Sequence, residues 1–126
     1  MGEGFEKTDK QVMPYIDMTN LACGFHAGSP IIMDTCVKLA IKHNVTIGAH
    51  PGYDDFKNFG RVSIQCSLKE IKTLIIYQIG ALDAICKLYN TKITYVKPHG
   101  ALYNDMMKDE TIFRAILKAI SDESTS

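Results

Sequence analysis

Val45-Thr46-Ile47-Gly48-Ala49-His50-Pro51 is a short apolar run that breaks off at a histidine and a proline. Upstream of it, Ser29-Pro30 reads as a helix start. Serine is a good N-cap, and proline suits the first helical position because its missing N–H would have no partner there. That helix is predicted to run to about Lys42, with Ile32, Cys36, Leu39 and Ala40 on one face and Asp34 and Lys38 paired outward at i,i+4. Asn44 stands at its stop, and Val45 to Ala49 follows as a buried strand. A helix feeding a buried strand is one step of a β/α repeat.

The same grammar extends to both sides. Lys10 to Tyr15 suggests a short helix, and Thr19 to Gly24 a strand. Pro51 to Cys66 is a long loop containing Tyr53-Asp54-Asp55-Phe56. Ser67-Leu68-Lys69-Glu70 is a capping box, in which the serine hydroxyl and glutamate carboxylate each satisfy a free N–H of the first turn. It opens a helix to about Tyr89, with Leu68, Ile71, Ile75, Ile79, Leu82 and Cys86 in one stripe. Gly80 interrupts this helix at ~1 kcal/mol relative to alanine, which points to close packing against a neighbour. Ile93 to Pro98 is a third strand, Ala101 to Met107 a helical turn, Glu110 to Ile120 a last helix, and 121–126 a polar, frayed end. The alternation predicts an α/β fold with a parallel sheet.

Fourteen basic and fourteen acidic side chains give no electrostatic reason for nucleic acid or an anionic membrane as partner. No apolar run reaches the ~20 residues of a membrane span, and the opening residues do not form a secretory signal. Cys23, Cys36, Cys66 and Cys86 form no CxxC pair, which favours reduced thiols and a cytoplasmic setting.

Three histidines directly follow predicted strands, in Cys23-Gly24-Phe25-His26, Gly48-Ala49-His50-Pro51 and Lys97-Pro98-His99-Gly100. The carboxyl ends of parallel strands open onto one face, where ligands bind, so His26, His50 and His99 are expected to share a pocket. The competing reading is three structural histidines that tie loops together. His43, near a helix end, is read only as a favourable charge at the negative helix terminus. Several neighbours carry paired readings too. Lys97 clamps a carboxylate or phosphate, or pairs with a structural acid. Asp55 orients His50 or binds substrate, or forms an Asx-turn. Arg61 binds an anion or is an ordinary loop arginine. Tyr103 and Asn104 can donate to a developing oxyanion. Cys23 is a nucleophile or, as is usual in an apolar strand, a small packed hydrophobe. No HxxxH, HExxH or Walker-type GxxxxGK[ST] occurs, so no residue is assigned to a metal or to a phosphate loop.

Leu21-Ala22-Cys23-Gly24-Phe25-His26-Ala27-Gly28, Gly48-Ala49-His50-Pro51-Gly52, Asn58-Phe59-Gly60-Arg61, Tyr77-Gln78-Ile79-Gly80-Ala81-Leu82 and Val96-Lys97-Pro98-His99-Gly100-Ala101-Leu102-Tyr103-Asn104 together resemble the LamB/YcsF family. The resemblance implies a seven-stranded, irregular β/α barrel of the glycoside hydrolase/deacetylase type. It also implies a role as the A subunit of ATP-dependent 5-oxoprolinase, opening 5-oxoproline to L-glutamate with subunits B and C. ATP with Mg2+ is then a cofactor, held by this chain or by its partners. On that basis His26, His50, His99, Lys97 and Asp55 are the expected catalytic set, and Glu3, Arg61, Tyr103 and Asn104 the expected substrate contacts.

Family members carry a strand and an Asn-x-Asp segment before the Gly-Glu-Gly found here at Gly2 to Gly4, and are about twice as long. At roughly 30 residues per strand–helix unit, residues 1–126 are expected to be a single incomplete domain, about half of the barrel, lacking the first strand and the carboxyl-terminal half and inactive alone. Ser29 stands where the family often has Asp, and Asp54 where it often has Pro. Two other functions compete: a metal-dependent amide hydrolase of the deacetylase kind, with His26 and His50 as ligands, and a non-catalytic module that binds a partner.

Overall fold

Three parallel strands, β1 (Met18–Ala22), β2 (Thr46–His50) and β3 (Ile93–Val96), lie in that order in one sheet in a computed structural model describing residues 1–124. The register sets Ala22 opposite His50 and Ala49 opposite Val96, so the carboxyl ends of all three strands are level. The helices are α1 (Glu6–Val12), continued by a 3-10 turn over Met13–Tyr15, then α2 (Pro30–Lys42), α3 (Leu68–Leu88), α4 (Gly100–Lys108) and α5 (Glu110–Ser124). Helical crossovers join β1 to β2 and β2 to β3, as a parallel sheet requires.

The local signals act as expected at the helix starts. The Ser29 hydroxyl accepts from the Ile32 N–H at 3.2 Å, with Pro30 in the first turn. Ser67 and Glu70 make both bonds of the capping box, at 3.1 and 3.0 Å. Asn44 adopts φ +55, the left-handed conformation that closes many helices. Lys38 and Asp34 pair at 3.2 Å, and the Tyr89 hydroxyl donates to the same carboxylate.

The core lies between the sheet and α2 and α3, with α5 packed on α3 and α4. Ile71, Ile75, Ile79 and Leu82 of α3 are at most 2% exposed, each contributing roughly 1.5–3 kcal/mol of burial. Gln78 is buried in the same stripe, whereas Leu68, predicted to belong to it, is half exposed at the helix start. On α2 the inward face is Met33, Cys36, Val37 and Ala40; Ile32 and Leu39 border it, so the face is turned slightly from the predicted one. Gly80 does not mark a close approach: a β-carbon there would meet nothing within 4 Å.

Several bounds differ from the prediction for identifiable reasons. α1 starts at Glu6 instead of Lys10, because Glu6 and Asp9 suit the positive end of a helix dipole. β1 ends at Ala22, since Gly24 turns the chain at φ +94. β3 ends at Val96, ahead of Pro98, which has no N–H for a sheet. α5 runs through the expected frayed end to Ser124, where Asp122 pairs with Lys72 at 2.8 Å and Lys118 at 2.9 Å; residues 125–126 of that predicted end lie outside the described residues.

The first residues run beside β1. The Ala22 N–H donates to the Met1 carbonyl at 2.9 Å, and the amino terminus donates to the Asn20 carbonyl. Buried Asp9 accepts from the Gly2 N–H at 3.0 Å. This bends Glu3 over the carboxyl end of the sheet. No helix among the described residues is long and apolar enough to cross a membrane.

Candidate active site

The three strand-end histidines meet. His26 lies in the loop after β1, His50 is the last residue of β2, and His99 is the N-cap of α4 just beyond β3. The His26 and His99 rings stack with centroids 3.7 Å apart and planes 8° from parallel. His50 stands edge-on to both, at 4.8 Å from His99 and 5.7 Å from His26.

Backbone carbonyls orient two of the rings. His50 Nδ1 donates to the Lys97 carbonyl at 2.5 Å, and His99 Nε2 donates to the Phe59 carbonyl at 2.7 Å. The remaining nitrogens, His50 Nε2 and His99 Nδ1, face each other at 3.0 Å. His26 is wholly buried, and neither of its ring nitrogens has a hydrogen-bond partner among the described residues. Its Nε2 comes within 3.5 Å of a Glu3 carboxylate oxygen, too long for a good hydrogen bond but well inside electrostatic reach.

Burial sets the electrostatics. It pushes His50 down to about 4, outweighing the Lys97 carbonyl, which acts the other way. Burial also lowers His99 against the opposing pull of the Phe59 carbonyl. The His26 ring draws the Glu3 carboxyl below its ordinary range despite partial burial, and the amino terminus 4.0 Å away adds to this. The cluster thus sets two imidazoles that burial holds toward the neutral form, His50 and His99, beside the buried His26 ring and the Glu3 carboxylate.

The loop after β2 builds the walls. The Gln78 carboxamide accepts from the Gly52 N–H at 3.0 Å and donates to the Gly52 carbonyl at 2.9 Å. Gly52 can then lie so close to His26 that a β-carbon would fall 2.7 Å from its Nδ1. Gly60 adopts φ +66, and a β-carbon there would fall 2.7 Å from that of His26 and 3.1 Å from His99 Cδ2. The His99 N–H donates to the Pro51 carbonyl at 2.8 Å, and the Ala101 N–H to the Gly60 carbonyl at 3.0 Å. The Tyr53 hydroxyl and Ser63 both donate to Asp105, tying the loop to α4.

The other candidates divide. Arg61 is exposed, with its guanidinium 5.1 Å from the Phe59 ring, which is itself edge-on to His26 and His99. The Lys97 side chain is exposed, and its carbonyl orients His50. Asp55 Oδ1 accepts from the Asn58 N–H and side-chain amide, three residues on, at 3.1 and 3.2 Å, which closes the local turn of the loop. Tyr103 and Asn104 lie on α4, next after His99 and exposed. Cys23 is buried and its thiol is pushed up to about 12 by desolvation, so it packs as a hydrophobe.

Reading the residues alone missed Phe59, whose ring and carbonyl both serve His99, and also Gln78 and Asp9. Phe59 and Gln78 fall inside the motifs that carry the family resemblance; Asp9 left no local signal, because its partner is the backbone at Gly2.

The LamB/YcsF family pattern matches residues 1–126. The chain is 56% identical over 125 residues to a protein of Pseudomonas putida named as a 5-oxoprolinase A subunit, covering 96% of this chain and 48% of that one. It is 52% identical to a Vibrio cholerae protein of the same name, with 96% of this chain and 51% of that one covered. A solved structure, the lactam utilization protein of Thermus thermophilus, superposes with TM-score 0.88 at 43% identity over 90% of this chain and 46% of its own. The chain thus spans about half the length of the curated relatives it matches. The level parallel strands and helical crossovers fit part of a β/α barrel, and the chain belongs to the LamB/YcsF family.

Proposed function

We propose that these residues form part of a single catalytic domain in the A subunit of a cytoplasmic, ATP-dependent 5-oxoprolinase. With subunits B and C, it opens the lactam of 5-oxo-L-proline to L-glutamate. The observation that carries the reading is the convergence of His26, His50 and His99 on one spot beside Glu3, in a chain more than half identical to proteins named for this activity.

A lactam carbonyl is a poor electrophile. Transfer of a phosphoryl group from Mg-ATP to its oxygen makes the carbon open to water. The C–N bond then breaks as the ring nitrogen takes a proton, and a second water releases phosphate and leaves the carboxylate. The imidazoles suit the proton steps: neutral rings accept from water and return a proton to the leaving nitrogen. The exposed cations Lys97 and Arg61 suit the substrate carboxylate or the phosphoryl group, with Tyr103 and Asn104 as further hydrogen-bond donors and Asp55 shaping the loop. Residues 1–126 alone are inactive in this reading, because the remaining half of the relatives' chain supplies the rest of the pocket.

The test is 5-oxoproline-dependent ATP hydrolysis and glutamate release by the protein carrying this chain, assembled with its B and C partners. His50→Ala and His99→Ala should each reduce turnover by about 10²–10⁴-fold, the usual worth of a positioned acid or base. Wild-type rates in both variants would defeat the assignment, as would steady turnover by residues 1–126 alone.

A further inference from the structure

Two imidazole lone pairs point at each other across 3.0 Å, and that arrangement needs a guest. The Lys97 and Phe59 carbonyls can only accept, so His50 Nδ1 and His99 Nε2 must both carry hydrogens. Each neutral ring has one hydrogen, and both are now spent. His50 Nε2 and His99 Nδ1 are therefore both bare where they meet. Ligating histidines characteristically donate their other N–H to a backbone carbonyl, which fixes the tautomer and orients the lone pair.

Further donors surround the pair. One donor atom each from Glu3, His26 and His99 lie within 4.8 Å of one another. The buried His26 nitrogens have no hydrogen-bond partner among the described residues, and Nε2 lies 3.5 Å from the Glu3 carboxylate. Two donors each about 2.1 Å from one ion are roughly 3.0 Å apart at a right angle and about 3.4 Å apart in a tetrahedron, so the facing nitrogens at 3.0 Å need only a small turn of the rings to share it.

We propose that this cluster binds one divalent transition-metal ion, with His99 Nδ1 and His50 Nε2 as neighbouring ligands and Glu3 and His26 completing the set. Because His26 lies flat on His99, it joins by turning its ring off the stack. Imidazoles with one carboxylate select zinc, cobalt, nickel or iron over magnesium or calcium, which prefer all-oxygen sites. The bare pair stands on geometry alone, so ion binding and 5-oxoproline turnover can fail separately.

The experiment is titration of the chelator-stripped protein carrying this chain with Co2+ and Zn2+ at pH 7.5, followed by calorimetry and by the visible absorption of bound cobalt. One equivalent should bind, with Mg2+ failing to compete. His99→Gln should abolish the cobalt bands, and Glu3→Gln and His50→Gln should each weaken binding by roughly 10-fold or more. His43→Gln, outside the cluster, should leave it unchanged, and circular dichroism verifies folding of each variant. Absence of Co2+ and Zn2+ binding to folded wild type, or binding unaffected by His99→Gln, overturns the proposal. So does a nitrogen NMR signature of imidazolium for the His50–His99 pair at neutral pH, which would make a proton the guest.

Discussion

The side-chain amide of Gln78 completes both hydrogen bonds of Gly52, at 3.0 Å from its N–H and 2.9 Å from its carbonyl, although a long loop and the first half of α3 separate the two residues. A helix side chain thereby acts as a stretch of substitute backbone for the segment that leaves His50 and passes His26.

Gln78→Leu should therefore be costly despite similar size. It leaves a buried N–H and a buried carbonyl without partners, at about 1–3 kcal/mol each. Urea denaturation should show a loss of at least about 2 kcal/mol, with turnover falling because Gly52 no longer holds its place against His26. A denaturation midpoint equal to wild type would show that the loop does not depend on this amide.

Gly60→Ala should damage the site more directly than its size suggests. At φ +66 an L-residue is strained by about 1–2 kcal/mol, and its β-carbon would collide with His26 at 2.7 Å. Since Gly60 follows Phe59, whose carbonyl orients His99, the strain should reach the imidazole pair. The expected outcome is a lower melting temperature together with shifted ring-proton resonances for His26 and His99. Unmoved histidine resonances would indicate that the loop absorbs the methyl group elsewhere.

Acid should destabilise the chelator-treated protein through His50. Its folded value is about 4, below the ~6.5 of an unfolded histidine. Between those values the unfolded chain binds a proton that the folded chain does not, so stability falls as pH drops through this window and is fully present above it. His99 is lowered too and acts in the same direction. Melting temperature should decline from about pH 7 to about pH 5, and His50→Gln should flatten that decline. An identical slope in the variant would place the acid sensitivity elsewhere.

The parts legible in the sequence were those set by local chemistry. Ser29-Pro30 and the Ser67–Glu70 box start their helices as read, because a cap is made by residues three apart. The three histidines could be placed at one end of the sheet because parallel strands, joined by helical crossovers, all end on the same side. Their mutual geometry could not be read, since the 3.7 Å stack of His26 on His99 depends on loops separated by some seventy residues of chain. Asp55 shows the same limit: its carboxylate was compatible with both a turn and a site, and the two bonds that one of its oxygens makes to Asn58 depend on how the loop closes. The inward face of α2 slipped toward Met33 and Val37 because helix rotation is fixed by neighbours.

Tyr53 and Asp105 form the remaining lever on the site. The Tyr53 ring is 1% exposed, its hydroxyl donates to Asp105, and Ser63 donates to the other oxygen of the same carboxylate at 2.9 Å. Burial raises the Tyr53 hydroxyl well above its usual range, keeping it a donor throughout the neutral region. Tyr53→Phe removes one bond to a charged acceptor, worth about 1.5–3 kcal/mol, while keeping the buried ring. Asp105→Asn keeps an acceptor but loses the charge, and the double variant should cost less than the sum of the two, because each removes the same bond. If the clamp serves the site, both single variants should also reduce turnover, since the loop from Tyr53 to Ser63 carries the Phe59 carbonyl that orients His99. Additive stability losses in the double variant, with turnover untouched, would show two residues that are neighbours without being a clamp.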